Sequence, residues 1–211
     1  GQPDFYVKGV PATTTVSELE IEQPRIYFGE SADSIEYVVV NSLQEEVDYP
    51  LSTEGQSVAY TNYSGDGGVS IGSFFKRLGF ALRYSELNLL ISNQLSDDSK
   101  LIMERNIVSR VKKAAPFLYT DNDPYLALIS GDLFWIIDMY TVSDKYPYAQ
   151  PADTRRINEN SGLPMNFNYL RNSVKAVVNA YDGTIDFYVV DSKDPIIQSY
   201  QDIFPDLFSP E

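Results

Sequence analysis

Residues 173–191 read SVKAVVNAYDGTIDFYVVD, two alternating apolar runs on either side of Asp182-Gly183. A two-residue Asp-Gly link between such runs predicts a β-hairpin closed by a type I′ turn. In that register Val178 faces Phe187 and Ala180 faces Ile185 on one side, while Val177 meets Tyr188 and Asn179 meets Asp186 on the other. The stretch fixes a piece of antiparallel architecture and carries no reactive constellation.

Working outward, residues 126–129 and 133–140 predict a second hairpin around Ser130-Gly131-Asp132. Phe134, Ile136 and Asp138 share one face of its second strand, and Trp135, Ile137 and Met139 the other. Both faces are largely apolar, the mark of a strand internal to its sheet. Between the hairpins, residues 141–167 (TVSDKYPYAQPADTRRINENSGLPMNF) show little periodicity, and loops this long inside compact domains are functional or disordered. After the first-quoted hairpin, Asp194-Pro195 caps a short helix with Ile196, Tyr200, Ile203 and Phe204 at helical spacing, stopped by Pro205.

Toward the N-terminus, Ser96-Asp97-Asp98 predicts the start of a helix that ends before Pro116. Its acids stand at the start and Arg110, Lys112 and Lys113 near the end, complementing the helix dipole. Before it, Leu87, Leu90 and Ile91 suggest a short helical piece. Ser70 reads as the N-cap of an amphipathic helix with Ile71, Phe74, Phe75, Leu78 and Leu82 on one side and Lys76 and Arg83 on the other. Residues 25–28, 35–41 and 57–63 read as strands. The expected fold is α+β, an antiparallel β-sheet built from hairpins with amphipathic helices packed against it. It forms a single domain over 1–211 that subdivides into a strand-rich 1–66, a helical 67–118, and 119–211 with two hairpins and a C-terminal helix.

Composition narrows the function classes. The net charge of −14, from 30 acidic and 16 basic side chains, disfavours nucleic acid, because a polyanion meets a repulsive field. Residues 71–113 run the other way, with eight basic side chains against four acidic ones. The chain has no cysteine and no histidine, which removes disulfides, thiolate nucleophiles, imidazole bases and the usual zinc sites from these 211 residues. Sixteen tyrosines, eleven phenylalanines and a tryptophan suit half-buried strands and aromatic-lined grooves alike. The apolar runs, such as residues 133–137, fall far short of the roughly 20 residues that span a bilayer, and no signal peptide is read. Gly1-Gln2-Pro3 and the close at Ser209-Pro210-Glu211 read as the ends of an excised piece.

Each candidate for chemistry has a plainer competitor. Gly65-x-Gly67 lacks the third glycine of a dinucleotide turn, and Ser73 stands where a P-loop needs lysine, so residues 64–68 read as an ordinary loop and no cofactor is expected. Asp121 and Asp123 offer oxygens to calcium, but Pro124 and Tyr125 break the EF-hand spacing and Asp and Asn suit turns equally well. Asp138, within an apolar strand, is the best single carboxylate for hydrolysis if desolvation raises its pKa. Its plainer role is pairing with Lys145, Arg155 or a backbone N–H. Tyr146-Pro147-Tyr148 offers an aromatic ledge for a sugar or peptide, against simple packing on the sheet. The basic segment offers contact with anionic lipid, against a solvated helix face.

Several long stretches carry a family resemblance: RIYFGE (25–30), YVVVN (37–41), DYP (48–50), GGVSIGSFFKRLGFALRYSELNLLIS (67–92), RVKKAAPFLYTDNDPY (110–125), LFWIIDMYTVSDKYPYAQP (133–151) and NYLRNSVKAVVNAYDGTIDFYVVDSKDP (168–195). Through them the chain resembles uncharacterised protein family 0182, large bacterial multi-pass membrane proteins with an extensive extracytoplasmic region. The resemblance implies a soluble piece of a membrane-anchored protein outside the cytoplasmic membrane, with the remaining transmembrane part as its partner. It supplies no reaction. The expectation is an extracytoplasmic binding or scaffold domain without catalysis, with Tyr146, Tyr148 and Asp138 as ligand-binding candidates and an envelope polymer or the membrane surface as further partners. The alternative is a carboxylate-dependent hydrolase acting on an envelope polymer.

Overall fold

A computed structural model describes residues 6–10, 12–31, 37–51 and 58–210, with Glu18, Arg156 and Glu159 described by backbone alone. Ile35, Glu36 and Ser57 of the expected strands, part of the loop before Ile35, and the terminal residues 1–3 and 211 lie outside the described residues. Contacts divide the chain into two units, Gly1–Glu20 with Asp33–Arg105, and Ile21–Ala32 with Asn106–Glu211.

The first unit holds strands β1 (Val7–Lys8) and β2 (Thr13–Thr14), which pair with each other, then β3 (Tyr37–Val40), β4 (Glu46–Pro50), β5 (Val58–Thr61), β6 (Val69–Ser70) and β7 (Lys100–Met103). β4 pairs with β5, and β3, β7 and β6 form an antiparallel sheet in that order. Helices α1 (Phe74–Tyr84) and α2 (Asn88–Ile91) lie between β6 and β7. Two expectations change here. The cap of α1 is Ser73, whose hydroxyl accepts from the Lys76 N–H, while Ser70 is paired in β6. The long helix expected from Ser96 is a strand and a shorter helix, because consecutive Leu101 and Ile102 are both fully buried, as happens when both faces of a pleat are covered. The Ser96 and Ser99 hydroxyls bond instead to the Asn41 carbonyl.

The second unit adds α3 (Ile107–Ala114), β8 (Tyr119–Thr120), β9 (Tyr125–Ile129), β10 (Asp132–Ser143), β11 (Tyr169–Asn179), β12 (Ile185–Val189), α4 (Pro195–Ile203) and β13 (Phe208–Ser209). Their sheet runs β13-β12-β11-β10-β8, with β9 also on β10, and all pairings are antiparallel except β12 with β13. β10 is internal, as its two apolar faces require. Ile137, Met139, Val174, Ala176 and Val178 are completely buried on one face, each worth about 1.5–3 kcal/mol for the larger side chains. Asn106 caps α3 through the Ser109 N–H, and Asp194 caps α4 through the Ile196 N–H with Pro195 in the first turn.

Both hairpins form, but the tight two-residue link expected at Asp182-Gly183 is found at Ser130-Gly131. Ser130 and Gly131, at φ 52° and 90°, make the tight two-residue link, both central residues adopting the positive φ of a type I′ turn. At Asp182-Gly183 the link is four residues long, closed by Gly183 N–H to the Asn179 carbonyl, and Val178 pairs with Ile185 and Ala176 with Phe187. The cause is the Asn179 side chain, which accepts from the Tyr181 and Asp182 N–H groups and bends the chain early. A slip of two keeps every residue on its expected face. Residues 25–28 are no strand. They run as a single segment across this unit, Tyr27 and Phe28 both donating to the Ala180 carbonyl.

Among the described residues, no helix is long and apolar enough to cross a membrane.

Candidate functional site

The β10–β11 ladder slips between Met139 and Tyr140, leaving Ser173 as an extra residue in β11. Such a bulge re-aims a side chain, and here Ser173 turns inward. Its hydroxyl donates to Asp194 Oδ2 at 2.5 Å, an oxygen that also accepts from Thr141 Oγ1. Asp194 Oδ1 accepts from Tyr169 OH at 2.7 Å and from the Ile196 N–H at 2.9 Å. The carboxylate is wholly inaccessible. Burial acts to raise its pKa, but the Ser173, Thr141 and Tyr169 hydroxyls and the helix N–H together hold it below the ordinary aspartate value.

Tyr169 bears the reciprocal effect. Burial and its bond to the Asp194 carboxylate push the phenol up to about 12. An alkaline titration followed by tyrosinate absorbance is expected to show one tyrosine ionising near that value, removed by Tyr169→Phe. A raised phenol pKa contributes stability that is complete below the unfolded value near 10 and lost as pH climbs through about 12. If all sixteen tyrosines titrate together near 10, the bond is not made.

Tyr146 stacks on this same Tyr169, ring centroids 4.4 Å apart at 18°. Asn168 clamps the first part of the long loop. Its Oδ1 accepts from the Tyr146 N–H at 2.9 Å, and its Nδ2 donates to the Tyr146 and Ala149 carbonyls at 2.8 and 3.3 Å. Tyr148 sits on this clamped stretch fully exposed, at φ 59°, a backbone conformation rare for a bulky side chain.

Asp138 lies on the opposite face of β10, directly across from Lys175, whose Nζ donates to Oδ1 at 2.5 Å; Asn172 Nδ2 donates to the same oxygen at 3.0 Å. Its partners are these cross-strand residues rather than Lys145 or Arg155. Burial pulls its pKa upward, but Lys175 and Asn172 outweigh it, so the carboxyl is held below its ordinary value, the reverse of the shift a general acid needs. Asp121 is bonded through Oδ2 to Tyr140 OH and through Oδ1 to the Asp123 N–H, an Asx turn. No three acidic side chains gather into a metal-holding group among the described residues.

The structure therefore brings Tyr146 to Tyr169 and Asp194 and keeps Asp138 on the other side of the sheet. Reading the sequence finds Asp194 as a helix cap but not its burial. The available signals were two hydroxyls, Thr141 and Ser173, at the ends of apolar runs, where a polar side chain needs an internal partner.

Antiparallel sheets with helices define an α+β fold, and its second unit holds an aspartate caged by hydroxyls. The sequence profile of an Uncharacterised protein family (UPF0182) matches residues 1–211, and the chain belongs to that family. It is similar to a UPF0182 protein of Pelotomaculum thermopropionicum, 43% identical over 210 residues that make up 100% of this chain and 21% of the relative. Proteins of the same description from Trichodesmium erythraeum and Clostridium novyi are each 44% identical, over 99% and 100% of this chain and 23% and 21% of the relatives. The chain spans about a fifth of the length of these curated relatives. No solved structure matches.

Proposed function

We propose that the chain is an extracytoplasmic binding and scaffold module, without catalysis, of a longer membrane-anchored polypeptide. The observation that carries this is the Asn168-clamped loop, which holds Tyr148 fully exposed at positive φ beside the Tyr146–Tyr169 stack. Backbone strain that serves an exposed aromatic is spent on presentation, not on packing, and a pre-ordered aromatic ledge suits a sugar or peptide chain of the cell envelope. The hydrolase alternative has less support, since Asp138 and Asp194 are both held ionised and neither is poised to donate a proton. The location outside the membrane rests on the resemblance drawn from the sequence.

Purified peptidoglycan sacculi are the probe. The protein is expected to sediment with them, and the double variant Tyr146→Ala/Tyr148→Ala to lose about tenfold of the affinity, as removal of an aromatic anchor does. No retention, or retention that the variant leaves untouched, overturns the ledge. For location, this cysteine-free region in a full-length protein takes Tyr148→Cys, which a membrane-impermeant maleimide should label in intact cells. Labelling only after permeabilisation contradicts the extracytoplasmic assignment.

A further inference from the structure

Of the apolar stripe expected to bury α1, Ile71 is buried and Leu78 half-buried, but Phe74, Phe75 and Leu82 face outward. Helix α1 packs through Arg77, Phe80, Ala81 and Tyr84, whereas Phe75 is 82% exposed and Leu82 73% exposed, with Phe74 also exposed. Leu87 and Ile91, at α2, are exposed as well, the latter by 73%. Gly79, between Phe75 and Leu82 on this face, has nothing within 4 Å of where its Cβ would stand, so the surface there is open. A helix that shows solvent two phenylalanines and a leucine is missing a neighbour.

Charge says what that neighbour is. Across α1 and α2, residues 67–91 hold a single acidic side chain, Glu86, engaged by the Asn88 N–H, in a chain with 30 of them. Lys76 and Arg83, seven apart, flank the stripe, Arg83 lying over the Tyr84 ring and reaching Glu104 only at 3.7 Å. Exposed Phe and Leu bordered by cations is the pattern of a helix that lies in a lipid interface, its rings in the acyl boundary and its cations among phosphate headgroups. At about 0.1 M salt the Debye length is about 10 Å, so the acidic remainder of the chain is screened while residues at the surface are not.

We infer that the outward face of α1 and α2, through Phe75, Leu82 and Ile91 with Lys76 and Arg83, docks on an anionic membrane surface. This goes beyond the ledge reading and stands if that reading falls.

The test is co-sedimentation of the 211-residue protein at about 0.1 M salt with phosphatidylcholine vesicles, with and without phosphatidylglycerol. Binding is expected only to the anionic vesicles, falling by about tenfold or more in Phe75→Ser/Leu82→Ser and in Lys76→Glu/Arg83→Glu. These side chains are exposed, so circular dichroism and melting of the variants are expected to match the parent. Absence of binding, equal binding to uncharged vesicles, or binding indifferent to both variants overturns the proposal. So does a dimer by light scattering that Phe75→Ser/Leu82→Ser dissociates, which makes a second copy the occupant.

Discussion

Replacing Asp194 with alanine is expected to cost the second unit about 3–5 kcal/mol, a large part of the stability of an ordinary domain. The loss has two sources. Helix α4 gives up the side chain that accepts from the Ile196 N–H, worth about 1 kcal/mol. The larger part comes from Thr141, Ser173 and Tyr169, whose hydroxyls converge on this one carboxylate, the first two from completely buried positions. Without it, buried donors are left with no acceptor. Asp194→Asn keeps one acceptor oxygen and should cost less. The pH dependence has a definite sign. Because the folded pKa lies below the ordinary value, the stabilisation is complete above the unfolded aspartate pKa near 4 and is lost as pH falls through the folded value. The variants should therefore fall furthest below the parent at neutral pH, and the gap should narrow in acid. Urea unfolding followed by Trp135, the sole tryptophan and a member of the second unit, reads both effects. An unchanged midpoint for Asp194→Ala would show that the hydroxyls find water or one another instead.

Gly183→Ala is the second large effect, at about 2–4 kcal/mol. Gly183 has φ 74°, and a Cβ there would stand 2.5 Å from the Phe28 ring. The conformation alone costs an alanine roughly 1–2 kcal/mol. The collision adds more because Phe28 has nowhere easy to move. It is buried, the Arg110 guanidinium lies 4.7 Å from its ring centre, and its carbonyl accepts from Trp135 Nε1 at 2.9 Å. Arg110 Nε also donates to the Gly183 carbonyl at 2.7 Å, tying the turn to α3. Displacing the ring should disturb the indole bond, so a shift in Trp135 emission is expected with the fall in stability. Asp182→Ala is the comparison. It removes only the bonds to Thr184 N and Oγ1 and should cost about 1 kcal/mol. If the two variants cost the same, the Phe28 contact is not what demands glycine.

The Asp-Gly pair thus signalled a hairpin correctly and its geometry wrongly. Alternation in residues 173–191 reports which side chains share a face, and a two-residue slip leaves that message intact. It cannot report that Asn179 captures two N–H groups, nor that Phe28, 155 positions upstream, seats itself under Gly183. The same limit governs α1. Its apolar periodicity is plain in the sequence, but periodicity marks a face that avoids water without saying what covers it. Strand β7 was hidden because four residues, Lys100–Met103, are too few to show a period, and the acids ahead of them imitate a helix start. Asp138 is paired, as its plainer role requires, but with Lys175 of the neighbouring strand, a partner visible only once the register is known.

The short strand β13 has a consequence for the behaviour of the protein in a crowded solution. It lies along the outer side of β12, pairing at Phe187 and Tyr188, and Ser209 Oγ bonds to Asp186. β12 and the residue after it read IDFYVV, rich in aromatic and β-branched side chains, and an uncovered edge of that kind is a template for another chain's strand. Two residues of β13 occupy its backbone donors and acceptors at the middle, and Asp186 puts a charge beside its start. That edge of the sheet thereby ends in a blunted border, with little purchase for another chain's strand at the middle of β12.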